Sequence, residues 1–115
     1  MKKYLLLLHE DAEQLKNLSP KEMETLVGAH MAWAEKLGTT GHLIAGEALA
    51  EKGVQITGKE SIVKDGTFLE VKEMIGGFYY LQAENLEQAI ELAKGCPCHV
   101  WGGRTEIRPI MEYEE

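Results

Sequence analysis

The stretch Ser19 to Gly38 reads SPKEMETLVGAHMAWAEKLG, and it decides the fold. Ser19 is a natural N-cap and Pro20 fits the first helical position, where a missing N–H costs nothing. Glu22 completes a Ser-x-x-Glu capping box. From there Met23, Leu26, Val27, His30, Met31, Ala34 and Leu37 fall within an arc of roughly 140° at 100° per residue. Gly38 supplies the expected stop. A helix with one such face packs on a sheet, and His30 lies inside that face.

Working outward, residues 3–9 form a short apolar run bounded by charges, the pattern of a strand buried on both faces. After the helix, residues 39–53 read as irregular, with glycines at 41, 46 and 53. Val54–Thr57 and Ser61–Lys64 are short strand candidates separated by Gly58, and Asp65-Gly66 is a turn signal. A longer strand is expected from Met74 to Ala83. Asn85 then caps a second helix, with Leu86, Ala89, Ile90 and Ala93 on one face, Gly95 ending it and Pro97 blocking continuation. Thr105–Arg108 is the last strand, placed at an edge by Pro109. Strand, helix, strands, helix, strand is the order of an α+β, ferredoxin-like domain: one antiparallel sheet with two helices on one face. The other face would be left bare, and the long strand carries large apolar residues on both sides. A second copy is the simplest cover, so a homodimer is expected.

Composition narrows the function classes. The 115 residues form a single domain, 1–115, in which 19 acidic side chains outweigh 12 basic ones for a net charge of −7. A phosphate-backbone binder needs a dense basic face, so nucleic acid is excluded as an expected partner, and an anionic membrane with it. The longest apolar run, Tyr4 to Leu8, is far short of the ~20 residues that span a bilayer. It runs into His9-Glu10-Asp11 without a cleavage site, which points to a cytoplasmic chain. Cys96 and Cys98 are then expected to be free thiols.

Few residues carry a chemical signal. His30, on an apolar helix face, needs a partner for a ring nitrogen. Cys96-Pro97-Cys98-His99 is spaced too tightly for a closed zinc site and has no second ligand pair. Gly38-Thr39-Thr40-Gly41 lacks the lysine of a phosphate loop and follows a helix, not a strand. Neither a metal nor a cofactor is therefore expected. Glu106 and Arg108 alternate along the last strand and should meet on one face as a surface ion pair.

The segment Asp65-Gly66-Thr67-Phe68-Leu69-Glu70-Val71-Lys72-Glu73, followed by Gly76-Gly77-Phe78, resembles the DGPF-type signature of the YCII-related proteins. Gly41-His42-Leu43-Ile44-Ala45-Gly46-Glu47-Ala48-Leu49 resembles the family's segment after the first helix, and Glu106-Ile107-Arg108-Pro109-Ile110 its closing E-V-R-P-[IV]. Thr67 stands where the pattern usually has proline. The resemblance implies a dimeric α/β barrel in which two sheets close around a cleft. It also implies an active-site His–Asp pair, carried here by His30 and Asp65. His30 would be the general acid or base and Asp65 would orient its ring. Arg108 would bind an anionic or phenolate oxygen of a small-molecule ligand if it faces the cleft. With no nucleophile or cofactor loop in view, elimination or isomerisation fits. The other function class is a non-catalytic ligand-binding or regulatory module tied to transcription proteins, since similar domains are fused or adjacent to sigma factors.

Overall fold

The computed structural model describes residues 1–65 and 73–113. Strand β1 (Lys2–Asp11) alternates as a half-buried strand must: Tyr4, Leu6 and Leu8 are buried, with Leu5 and Leu7 on the opposite face. It pairs antiparallel with β5 (Glu73–Ala83) on one side and β6 (Arg104–Pro109) on the other, and β2 (Leu43–Ala48) adds to the far edge of β5. The order β2-β5-β1-β6, all antiparallel, is the ferredoxin-like arrangement of an α+β domain.

Helix α1 (Ala12–Lys16) is a single short turn capped by Asp11, whose carboxylate accepts from the Gln14 N–H at 3.0 Å. Helix α2 (Pro20–Thr39) starts as its sequence dictates, with both hydrogen bonds of the Ser19–Glu22 capping box in place. Helix α3 (Leu86–Ala93) is capped by Asn85 and followed by a 3₁₀ turn at Pro97–Trp101. The longer helices lie on the Tyr4–Leu6–Leu8 face, where Leu37 from α2 and Ala93 from α3 join Leu6, Leu8, Leu81, Cys96 and Cys98 in one core cluster.

Three sequence expectations need correction. Residues 39–53 are not irregular throughout: β2 occupies 43–48, and its alternation is obscured by Gly46. Gly38 does not stop α2, which continues to Thr39. The left-handed residue is Gly41 at φ 80°, and the His42 N–H returns to the Leu37 carbonyl at 2.9 Å. The fourth strand runs from Ile62 to Asp65, and the expected turn at Asp65-Gly66 lies partly outside the described residues.

Strands β3 (Val54–Thr57) and β4 (Ile62–Asp65) form a separate two-stranded hairpin, with every side chain exposed. The radius of gyration is 15.9 Å, against about 13 Å for a closely packed domain of this length, and the hairpin is the element that stands apart. Such a hairpin alone is marginal in water. Among the described residues, no helix covers the reverse face of the main sheet either. There Leu5 lies opposite Tyr80 and Leu7 opposite Phe78, all only partly buried.

Candidate functional site

The apolar face of α2 does not meet the sheet along its whole length. Leu26 and Leu37 are buried, whereas Met23, Val27 and Met31 stay exposed. The stripe that reaches inward is narrower than the sequence arc and centres on Leu26, His30, Trp33 and Leu37. Under the raised half of the helix lies a cleft of about 570 Å³, a volume suited to a small organic molecule. Its walls are mostly apolar, from Leu15, Met23, Val27, Met31 and Met74, and its polar groups include His30, Tyr79, Glu10 and Lys16.

Tyr79 rises from β5 beneath the helix. Its hydroxyl meets the Nδ1 of His30 at 2.8 Å, and the ring packs edge-on against Trp33 with centroids 4.8 Å apart. Gly46 makes room for it, since a β-carbon there would approach the Tyr79 ring at 2.8 Å. This is why β2 needs a glycine in mid-strand. Burial pushes the Tyr79 hydroxyl up to about 12, helped by the nearby thiols and Glu10, so the phenol keeps its proton. Burial also lowers the His30 imidazole from its ordinary value, so the ring is neutral at pH 7. With the ring proton on Nδ1, His30 donates to the phenol oxygen and Nε2 offers a lone pair. With the proton on Nε2, Tyr79 donates to Nδ1 instead. Either way Nε2 has no protein partner among the described residues.

Glu10 enters from the end of β1 beyond a register shift between Leu8 and His9. Its carboxylate lies against Gly76, where any β-carbon would overlap it. Burial raises its pKa, because its charged form loses solvation there. The cleft thus gathers a neutral imidazole, a protonated phenol and a carboxyl group that resists ionisation.

The expected site residues fall in different places. His30 lines this cleft. Asp65 lies exposed at the end of β4, opposite Val54 in the hairpin register, and is not among the cleft-lining residues. Arg108 lies on the reverse face of the sheet, largely exposed, with Nη1 at 3.4 Å from Glu106. That is the ion pair expected of alternating positions. Glu106 also accepts from His9 Nε2 at 2.9 Å, and this bond does most to hold its carboxyl below the usual range. The two remaining histidines serve the frame: His42 donates to the Gln82 carbonyl at 2.9 Å, and His99 bonds Thr105 at 2.9 Å. Among the described residues no three His, Cys, Asp or Glu side chains converge as metal ligands.

Tyr79 and Glu10 were not singled out from sequence. The available signal was Gly76-Gly77 inside an otherwise aromatic strand, which marks a close approach by another group.

The sequence matches the YCII-related domain over residues 2–114. An uncharacterized protein of Rhizobium meliloti (strain 1021) is 33% identical over 82 residues, covering 70% of this chain and 64% of that relative. No helix among the described residues is long and apolar enough to cross a membrane.

Proposed function

The chain belongs to the YCII-related family, and from that premise we propose that it is a small-molecule enzyme acting by proton transfer at His30. The observation that carries this reading is the pairing of His30 Nδ1 with the Tyr79 hydroxyl in a largely apolar cleft. A neutral imidazole fixed through one nitrogen has the other available for a substrate proton, and burial keeps it in the basic form at pH 7. Burial shifts Glu10 toward its protonated form, which suits it to return a proton. Together they can move a proton between two positions of one substrate, as elimination and isomerisation require.

The working unit is proposed to be a homodimer. The half-exposed Leu5, Leu7, Phe78 and Tyr80 of the reverse face, and the hairpin carrying Asp65, are the surfaces a partner would cover. In that assembly Asp65 is proposed to join His30 across the subunit boundary, and Arg108 to face the closed space between sheets.

A second reading, ligand binding without turnover, is favoured by one observation: the His30 ring is bonded to a phenol, not to a carboxylate. Deuterium exchange separates the two. A panel of small carbon acids incubated with the protein in heavy water should include at least one whose C–H exchange depends on His30 and is lost in His30→Gln. Cleft binding without exchange anywhere in the panel would favour the second reading, and exchange that survives His30→Gln would remove His30 from the chemistry.

A further inference from the structure

A second reactive cluster lies outside the cleft. At the end of α3 the sequence Cys96-Pro97-Cys98 enters the 3₁₀ turn, and the two Sγ atoms are 3.6 Å apart in hydrogen-bond contact. Both residues are buried, at 2% exposure each. The backbone fixes them from both ends: the Cys96 N–H donates to the Ala93 carbonyl at 3.0 Å, and the Cys98 carbonyl accepts from the Gly103 N–H at 3.0 Å. Glycine at 103 permits this approach, because a β-carbon there would stand 2.9 Å from the His9 carbonyl and 3.0 Å from that of Cys98. The thiols are thus held together by the local frame.

We infer that Cys96 and Cys98 are a reversible redox pair, closing to an intramolecular disulfide when the protein meets a small peroxide. The inference does not depend on the reading of the cleft. The hydrogen bond to Cys98 draws the Cys96 thiol below its ordinary range, while the same bond and burial push Cys98 up. Cys96 is therefore the sulfur that ionises first and attacks. Its thiolate takes one oxygen from the peroxide ROOH, forming a sulfenic acid and releasing ROH once the alkoxide is protonated. The Cys98 sulfur then attacks the Cys96 sulfur, the S–O bond breaks, and water leaves with the Cys98 proton. In sum, two thiols and one peroxide give one disulfide, one ROH and one water.

Burial selects the oxidant. A peroxide is small enough to reach a sulfur that a bulky disulfide cannot approach, and the neighbouring thiol resolves the sulfenic acid before a second oxygen adds. A bridge across a single residue closes a tight ring, and strained bridges are the readily reduced, regulatory kind.

The chain has only 2 cysteines, so intact mass reads the outcome directly. Full-length protein treated with hydrogen peroxide should lose two hydrogens, traced by peptide mapping to the segment holding both cysteines and restored by dithiothreitol. In Cys98→Ser the same treatment should instead leave an oxygen adduct on Cys96 that dimedone captures. Wild-type protein that gains stable oxygen at either cysteine, or keeps both thiols alkylatable after unfolding, would overturn the pair. So would a covalent dimer in place of the internal bridge.

Discussion

The two halves of the helical layer are packed on the same sheet to opposite effect. Helix α3 meets the strands through Ala89 and Ala93, both buried, beside Tyr4 and Ala83. Small side chains at these positions let helix and sheet approach closely, with Leu92 and Ile107 packed alongside. The middle of α2 meets the same sheet through His30 and Trp33, with Tyr79 standing beneath them. Its Met23, Val27 and Met31 remain 39%, 50% and 68% exposed. Side-chain size at the contact separates a sealed core from a cleft, and the polar chemistry has collected where the packing is open. A buried polar group is costly unless bonded, so the open half is also where His30, Tyr79 and Glu10 can be kept.

Substitutions can test that contrast. In the closed region Leu81, 1% exposed, should dominate stability. Leu81→Ala should cost about 2–5 kcal/mol in urea unfolding, whereas Met31→Ala should stay within about 0.5 kcal/mol. Equal losses would mean that the two regions are packed alike. Gly76→Ala tests the floor of the cleft. Its new methyl overlaps the Glu10 carboxylate, so Glu10 must turn away, at a cost of about 1–3 kcal/mol for overpacking. Calorimetry gives the loss, and Gly76→Ala in a Glu10→Ala background should recover most of it.

Tyr79→Phe keeps the ring against Trp33 and removes only the hydroxyl. A stability loss of about 1 kcal/mol is expected for one hydrogen bond, with a change at the His30 ring nitrogens visible by nitrogen NMR. No change at His30 would show that the bond does not set the imidazole.

The smallest expected effects are pH dependences of opposite sign. His30 folds with a lowered pKa, so its stabilising preference for the neutral form is complete above about 6.5 and fades as pH falls through the lower folded value. Glu10 folds with a raised pKa, so stability is lost as pH rises from the ordinary carboxylate range through the folded value. Glu10→Gln should therefore melt at a slightly higher temperature than wild type at pH 7. The gain should vanish in acid.

Much of the frame is written locally. The Ser19–Glu22 box and the Asn85 cap depend on near neighbours, and each appears where the sequence puts it. Strand β1 forms where expected too, but as a strand buried on one face and not on both, since an unbroken leucine run does not say which face is covered. Strand β2 was hidden because Gly46, which interrupts its pattern, is there for the ring of Tyr79, far away in sequence. The end of α2 was misplaced because Gly38 and Gly41 look equivalent in sequence, while only Gly41 adopts the left-handed conformation. His30 was legible as a histidine on an apolar face. Its partner Tyr79 was not, nor was Glu10 in the same cleft, because strand pairing brings both there and spacing along the chain carries no trace of that register.

Ligand localisation tests the functional claim most directly. Crystals of the protein soaked with a mixture of small hydroxylated and carbonyl-bearing ring compounds should show density under the raised half of α2. A polar atom of the compound should lie within hydrogen-bond reach of His30 Nε2, with its ring against Met23 and Val27. Density that appears only on the reverse face of the sheet or along the hairpin, with the His30 cleft empty at saturating compound, would contradict the assignment of this cleft as the site.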